Sequence, residues 1–235
     1  NNNNNNIYVE LLRSLLRPSF FITDFILPHI DMVKITRENA LPDKDSEISV
    51  SKYHLVNNRE IKSSYPDNSV EVFFGLGCFW GAERLFWNLP YVHITSVGYG
   101  GGFTRNPTYQ DLCSGMTGHA ELVKVVFIYR EDNFLDLLKV FWENHDPTQG
   151  MRQGNDIGIQ YRSCIYINDN NLFKIASDSK NIYGKILKEQ TGKIITTEIK
   201  LNEIFYYAED YHQQYLEKNP SGYCGLSGTG INFVF

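Results

Sequence analysis

The segment VEVFFGLGCFWGAERLFW, residues 70–87, changes from a strand pattern to a helix pattern around a single cysteine. Its first part is a short run of β-branched and aromatic residues, which is typical of a mostly buried strand. Two glycines then allow a sharp bend. After Ala82 the apolar residues recur at helical spacing until Pro90 ends the helix. Cys78 is therefore predicted at a strand-to-helix corner.

This position gives Cys78 two interpretations. The unpaired N–H groups and the dipole of a helix N-terminus favour the thiolate, which is the nucleophilic form of a cysteine. Cys78 is thus a candidate nucleophile. Most cysteines that lie beside Phe and Trp, however, are inert apolar residues of a core. The position alone leaves both interpretations open.

Length and charge exclude several classes of protein. The 235 residues suffice for one domain, or for one domain with an extension. The net charge of -5 provides no basic surface for nucleic acid. No run of 18 apolar residues is free of charge and proline, which argues against a membrane span. We expect a monomer, because the sequence has no coiled-coil repeat or assembly motif.

The four cysteines, at positions 78, 113, 164 and 224, lie far apart and form no C-x-x-C pair. Neither a zinc ribbon nor a thioredoxin-type motif is therefore present. We expect no metal site and no bound cofactor. Such sparse cysteine favours a reducing, cytoplasmic compartment in which one or two thiols perform chemistry.

Residues 1–68 differ from the rest of the chain and are interpreted as an N-terminal extension and linker. Residues 7–30 are apolar but interrupted by charges and prolines, which allows either an organelle-targeting remnant or a helix packed on the domain. Residues 31–68 are mostly polar and predict a linker or a surface wrap. The main domain is expected at 69–235.

The predicted elements of this domain follow the order β-α-β-β-α-β. This split βαβ, ferredoxin-like order predicts an α+β two-layer sandwich, with helices on one face of a mainly antiparallel sheet. Glycine-rich residues 219–230 predict a long, mobile C-terminal loop. After the first strand and helix, we expect strands at 92–99, 122–129, 161–167 and 194–201, and helices at 134–142 (capped by Asp132 or Asn133), about 172–189 and 208–218.

Five ordered blocks of sequence lie over about residues 70–230. They are GCFWG (77–81), GYGGGFTRNPTY (98–109), CSGMTGHAE (113–121), FWENHDPTQGMRQGNDIGIQYRS (141–163) and YYAEDYHQQYLEKNPSGYCG (206–225). Together these blocks resemble the methionine sulfoxide reductase A family. The resemblance implies a thiol-dependent enzyme that reduces the S epimer of methionine sulfoxide, free or in peptides and proteins, and so repairs oxidative damage. The family's α+β two-layer fold agrees with the predicted elements.

The resemblance also implies roles for individual residues. Cys78 would attack the sulfoxide sulfur, and Glu121 would donate a proton to the oxygen, with a pKa raised by partial burial. Tyr109 and Tyr161 would hold the sulfoxide oxygen, and Asp156 would help to order the site. Without the family match, an isolated Glu at a strand edge is more often a solvated charge, and most tyrosines are structural.

An aromatic wall and a second cysteine complete the implied site. Phe79 and Trp80 would contact the S-methyl group, although packing in the core is the alternative interpretation. Cys224 would condense with the Cys78 sulfenic acid, and thioredoxin or another dithiol would reduce the resulting disulfide. Some family members carry a further recycling cysteine in the tail. Residues 226–235 contain none, which implies a two-cysteine cycle.

Other residues in the family blocks are expected to be structural. His119, His145 and His212 have no metal-binding spacing, so we expect them to form structural hydrogen bonds. Cys113 is interpreted as a small buried residue, and Cys164 lies in a predicted strand where the family requires no cysteine.

Two other functions use part of the same residue set. A thiol peroxidase would also need a reactive cysteine and a resolving one, and a methionine sulfoxide-binding module would keep the aromatic wall. The joint presence of nucleophile, acid and resolving cysteine disfavours both. A peroxidase would consume peroxide without reducing sulfoxide.

Overall fold

In the computed structural model, which describes residues 34–235, the central segment folds as a strand, a turn and a helix. Strand β1 (Ser69–Gly75) is followed by helix α1 (Phe79–Phe86), as predicted. Gly77 joins them with φ 101°, a conformation that strongly favours glycine. Cys78 is the residue that caps the N-terminus of α1.

The remaining elements extend this unit. They are β2 (Val92–Gly100), α2 (Tyr109–Cys113), β3 (Ala120–Ile128), α3 (Glu131–Glu143), β4 (Arg152–Gln153), β5 (Asp156–Ile157), β6 (Cys164–Ile167), α4 (Asn170–Thr191), β7 (Glu198–Leu201), β8 (Phe205–Tyr207) and α5 (Tyr215–Lys218), with single 3₁₀ turns at Ile159–Tyr161 and Asp210–His212. Among these residues, no helix has both the length and the apolar character that a bilayer crossing requires.

Six strands form one sheet in the order β7-β6-β1-β3-β2-β8. All neighbouring pairs are antiparallel except β6 and β7, which run parallel. The prediction of a mainly antiparallel sheet is therefore confirmed, with one parallel pair at its edge. Strands β4 and β5 form a separate two-stranded ribbon.

The main core lies between one face of this sheet and the helices. Side chains alternate along a strand, so Val72 and Phe74 face the core while Phe73 faces the other side. The same core contains apolar residues of α1, α3 and α4, such as Phe86, Phe141 and Tyr183, each of them fully buried. The protein therefore has an α+β fold.

Several predicted boundaries are corrected. The helix expected at 208–218 is wrong over its first half, because Gln214 adopts φ 47° and separates a 3₁₀ turn from the short α5. Arg130, rather than Asp132 or Asn133, occupies the N-cap position of α3. Strand β6 begins at Cys164 and β7 at Glu198, both later than predicted.

Residues 35–68 belong to the same compact unit as the sheet, Ile35–Phe235. The Leu41 N–H donates to the Met116 carbonyl oxygen at 2.9 Å. Ile61 is fully buried on the sheet face opposite the helices. The segment thus wraps the sheet, while the targeting remnant or packed helix expected at 7–30 lies outside the described residues.

The C-terminal tail packs on α3 and α4. Ile231 and Phe233 are buried, and the Phe233 N–H donates to Glu143 Oε1 at 2.7 Å. The Tyr183 hydroxyl lies 2.9 Å from that of Thr229. Although the sequence predicts a loose tail, its last part is anchored, and exposed Cys224 precedes the anchor.

Candidate active site

The Cys78 thiol lies at the N-terminus of α1 and is partly buried. The Trp80 backbone N–H lowers the pKa of this thiol, as expected at a helix start. Burial nevertheless raises the pKa of Cys78 far above its usual range, and the carboxyl groups of Glu121 and Asp156 add to this effect. The N–H group at the helix start therefore favours the thiolate, as predicted, but burial has the larger effect on the pKa of this thiol.

Glu121 approaches the same helix end from β3. Its carboxyl group is 2 % exposed, and Oε2 accepts a hydrogen bond from the Phe79 N–H at 2.9 Å. Burial raises the pKa of Glu121 to about 8, and the charge of Asp156 contributes in the same direction. The predicted direction of this pKa change is confirmed. At pH 7 the group is mostly protonated and can donate a proton.

Tyr109 and Tyr161 lie near this carboxyl group. Tyr109 begins α2, and Tyr161 ends a 3₁₀ turn. Burial, followed by the negative charge of Glu121, raises the pKa of both phenols. Both hydroxyls therefore remain protonated at neutral pH, which makes them hydrogen-bond donors. The Tyr109 hydroxyl also hydrogen-bonds with the Cys113 thiol.

Asp156 lies on β5 and faces the same group of residues. Its Oδ2 accepts a hydrogen bond from the Tyr223 hydroxyl at 3.3 Å. Its charge raises the pKa of Cys78, Glu121 and Tyr161. The structure thus brings the Cys78 thiol, the Glu121 carboxyl group, two phenols and this second carboxylate together.

The two aromatic residues after Cys78 have different environments. Phe79 is 1 % exposed and lies in the main core. Trp80 is half-buried, and its indole N–H donates to His212 Nδ1 at 2.9 Å. Its ring stacks on Tyr215 with centroids 3.8 Å apart. Of the pair, Trp80 therefore offers the more accessible aromatic surface.

Cys224 lies against α1, one turn beyond Cys78. A Cβ atom added to Gly81 would come within 2.6 Å of the Cys224 Sγ. The side chain of Leu226 contacts the same glycine. The tail thus brings a second thiol to the helix that carries the first, and the glycine makes the close approach possible.

The other two cysteines have different surroundings. Cys164 is fully buried in β6, on the sheet face opposite the main core, and burial raises its pKa to about 12. Cys113 is exposed at the end of α2, so its interpretation as a buried residue is wrong.

The three histidines form the expected hydrogen bonds. His119 Nε2 lies 2.7 Å from the Thr104 carbonyl oxygen, and His145 Nε2 lies 2.7 Å from Ser163 Oγ. His212 accepts from the Trp80 indole, but its Nε2 has no partner within the described part of the chain. In that part, no three His, Cys, Asp or Glu residues form a group that could hold a metal ion.

Sequence reasoning missed Tyr215 and Tyr223, and it gave His212 a structural role without linking it to Trp80. All three lie in a family block, but nothing in their spacing links them to α1. They reach the site because the chain after β8 folds back over that helix, more than 100 positions away from it in sequence.

Comparisons with known proteins show the family of this chain. A model of the peptide methionine sulfoxide reductase family matches residues 70–231. The chain is 54% identical over 198 residues to peptide methionine sulfoxide reductase MsrA of Agrobacterium fabrum, covering 84% of this chain and 92% of the relative. It is also 54% identical over 199 residues to the mitochondrial peptide methionine sulfoxide reductase of Rattus norvegicus, covering 84% and 85% of the two chains.

A solved structure shows the same likeness in three dimensions. Methionine sulfoxide reductase A of Corynebacterium diphtheriae superposes with a TM-score of 0.75 at 40% identity, over 81% of this chain and 92% of that one. Both the sequence and the fold thus match along most of their length. The chain belongs to the peptide methionine sulfoxide reductase family.

Proposed function

We propose that the protein reduces the S epimer of methionine sulfoxide to methionine, free and in peptides and proteins, and thereby repairs oxidised proteins. One observation carries the proposal: the Cys78 thiol and a buried, protonated Glu121 meet at the first turn of α1, where Cys224 also lies. The family membership supports the reaction class. The stereochemical preference follows the family resemblance.

In the first step, the Cys78 sulfur attacks the sulfoxide sulfur. An S–S bond forms and the oxygen is protonated. The oxygen is then transferred to the Cys78 sulfur as the S–O and S–S bonds break, which leaves Cys78 as a sulfenic acid and releases methionine. Glu121, with Tyr109 and Tyr161 as further donors, binds and protonates the oxygen as its negative charge develops. The proton that Cys78 loses replaces the one that Glu121 donates to the oxygen, so the step consumes no other reactant.

In the second step, the Cys224 thiol condenses with the sulfenic acid. A disulfide forms, and water leaves. A thioredoxin-type dithiol then reduces the disulfide by exchange. The contact of Cys224 with Gly81 supports this step, because it keeps the second sulfur near α1. The cycle uses no bound cofactor or metal, since the two thiols carry both electrons.

Trp80 and Phe79 are proposed to line the pocket for the S-methyl group. The half-buried indole of Trp80 is held on one edge by His212 and on its face by Tyr215. A rigid aromatic face favours contact with sulfur and its methyl substituent. Asp156 is proposed to order the site through its contact with Tyr223.

We also infer that the central strands form a ferredoxin-like, split βαβ unit. The order β6-β1-β3-β2, with neighbours antiparallel, supports this. We propose that 69–235 form the catalytic domain, because every proposed site residue lies within it.

The location and the assembly of the protein stay predictions. We expect a monomer in the cytoplasm that binds neither nucleic acid nor membrane. The rat relative is named mitochondrial, which keeps the organelle alternative open.

The proposed reaction is tested with separated S and R epimers of dabsyl-methionine sulfoxide, with dithiothreitol as reductant. We expect turnover of the S epimer alone, and no turnover by the Cys78→Ser variant. Failure of the well-folded wild type to reduce either epimer would overturn the proposal. Peroxide consumption in its place would favour a thiol peroxidase.

The proposed recycling route predicts a specific defect in the Cys224→Ser variant. With thioredoxin as the sole reductant, this variant should release one methionine per chain and then stop, since the sulfenic acid has no resolving thiol. Quenched-flow measurement of methionine would show this single turnover. Normal steady-state turnover would instead show that another thiol resolves the sulfenic acid, and Cys164→Ser in the same background would identify it.

A further inference from the structure

A second carboxyl group is fully buried in the helix that carries Cys78. Glu83 lies on α1, five residues after the cysteine, with 0 % exposure. The proposed reaction steps do not use it. Burial raises its pKa to about 7, and the hydrogen bonds that it accepts act in the opposite direction. A buried carboxyl group requires such partners, so their positions show what it holds in place.

The partners of Glu83 come from two distant segments. Oε1 accepts from the Thr95 hydroxyl at 2.9 Å and from the Gln214 side-chain amide at 2.8 Å. Oε2 accepts from the Gln214 backbone N–H at 2.8 Å. Behind Thr95, His54 Nε2 lies 3.0 Å from the threonine hydroxyl. Glu83 thus joins α1 to β2 and, by two hydrogen bonds, to residue 214.

Trp80 holds the same short segment from one helical turn away. Its indole N–H donates to His212, and its ring stacks on Tyr215. Gln214 lies between these two partners. Positions i and i+3 share one face of a helix, so Trp80 and Glu83 contact residues 212–215 side by side. Trp80 and Glu83 therefore hold the same short segment against α1 at neighbouring positions.

The conformation of Gln214 shows that this support is needed. Its φ of 47° lies in the left-handed region, which is uncommon and unfavourable for a residue with a side chain. Such a conformation persists where surrounding contacts hold it. Both hydrogen bonds from Gln214 to Glu83 do so. Without them, the turn would depend on its remaining hydrogen bonds, among them the one from the Leu55 N–H to Gln214 Oε1 and those of Gln213 with Val97 and Ala208.

We propose that Glu83 is a positioning residue for substrate binding. By holding Gln214, it fixes residues 212–215 against α1 and keeps the Trp80 indole oriented as a wall of the S-methyl pocket. Glu83 acts through Trp80 and takes no part in proton transfer. The inference rests on the proposed function, because it assigns Trp80 to that pocket.

The Glu83→Gln variant tests this role with little change in volume. The amide keeps one acceptor oxygen, but its nitrogen would face one of the two Gln214 donors, so one of the two hydrogen bonds to Gln214 is lost. Methionine formed in a single turnover of the S sulfoxide, without reductant, is measured over a range of sulfoxide concentrations. We expect the half-saturating concentration to rise about tenfold while the limiting rate changes less than about twofold, as for a loss of uniform binding.

Thr95→Val is the matched control. It removes one donor from the same buried carboxylate and leaves both hydrogen bonds from Gln214 in place. We expect a lower thermal unfolding midpoint with an unchanged half-saturating concentration. A purely structural role for Glu83 would instead give both variants the same kinetic behaviour. An unchanged half-saturating concentration in folded Glu83→Gln would overturn the inference.

Two further variants address a possible folding defect of Glu83→Gln and test whether its effect passes through Trp80. Gln214→Gly tolerates φ 47° and removes the side-chain donor to Glu83, together with the acceptor of the Leu55 N–H. It should show the same kinetic change if Glu83→Gln does not fold. Combining Trp80→Phe with Glu83→Gln should give less than the product of the single effects, whereas a full product would contradict action through Trp80. A wild type that forms no methionine would overturn the proposed function as well.

Discussion

Two protonated acids meet at the first turn of α1 before any substrate binds. Burial raises the pKa of Cys78 and of Glu121, and the negative charge of Glu121 would further raise the pKa of Cys78. The thiol therefore rests in its protonated, less reactive form. A protonated carboxyl group can stabilise an oxygen that gains negative charge, whereas a carboxylate would repel it. This arrangement suits sulfoxide reduction better than general thiol reactivity.

Replacing Glu121 should separate its chemical role from its structural one. We expect Glu121→Gln to lower the single-turnover rate of methionine formation by roughly 10²- to 10⁴-fold, as for the loss of a general acid. In the wild type this rate should decline above pH 8, because the pKa of Glu121 is about 8 and only its acid form donates. The variant should lack that decline. Rates measured from pH 6 to 10 provide the check, and an identical decline in both proteins would contradict the assignment.

At the level of elements, α1 and the tail form one functional unit. The helix supplies Cys78, and the tail supplies Cys224 across the surface of Gly81. The tail is held beyond this point by Leu226, which contacts Gly81, and by buried Phe233. Cys224 therefore has a short path to the sulfenic acid although its side chain is exposed.

A methyl group at position 81 should disturb this approach. We expect Gly81→Ala to slow Cys78–Cys224 disulfide formation about tenfold, because its Cβ would lie 2.6 Å from the Cys224 Sγ. Methionine release in the first turnover should continue, so dimedone should trap more sulfenic acid than in the wild type.

Gly184→Ala is the matched control, since it is also a helical glycine. The nearest atom to its added Cβ is the flexible end of Ile195, at 3.3 Å. This variant should form the disulfide at the wild-type rate and gain about 0.5–1 kcal/mol in the free energy of unfolding. Equal rates in Gly81→Ala and Gly184→Ala would show that Cys224 does not approach over residue 81.

Across the whole molecule, buried titratable groups act on stability in opposite directions. Burial lowers the pKa of His54, His145 and His212 to about 4. The contribution of these histidines to the free energy of unfolding is fully present above their unfolded pKa of about 6.5 and is lost as the pH falls towards 4. Burial raises the pKa of Glu83 to about 7 and that of Glu121 to about 8. The contribution of these two glutamates to the free energy of unfolding is fully present below their unfolded pKa of about 4.5 and is lost as the pH rises towards 8.

From these opposite effects we expect the free energy of unfolding to be highest at about pH 6 to 6.5. Thermal unfolding of the reduced protein, followed by circular dichroism between pH 4 and 9, measures this. Glu121→Gln should lose less stability than the wild type between pH 5 and 9, because it lacks one group with a raised pKa. A constant difference between the two midpoints over that range would contradict the pKa of Glu121.

The amino-acid sequence alone settles the local features of this protein. Residues 70–87 predict β1, the bend and α1, because strand and helix periods depend on neighbouring residues. The same pattern puts Cys78 at the helix N-terminus and Glu121 at the start of a strand. Family blocks then predict which residues take part in the chemistry.

Only the tertiary structure decides the environment of those residues. Burial outweighs the helix N-terminus in its effect on the pKa of Cys78, which local sequence does not reveal. Segment 212–215 contacts α1 through Trp80 and Glu83, and Gln214 lies 131 positions from Glu83 in the sequence. Where the sequence predicts a continuous helix, the structure has a turn at Gln214. Burial and long-range hydrogen bonds depend on which segments pack together, and no local pattern encodes that packing.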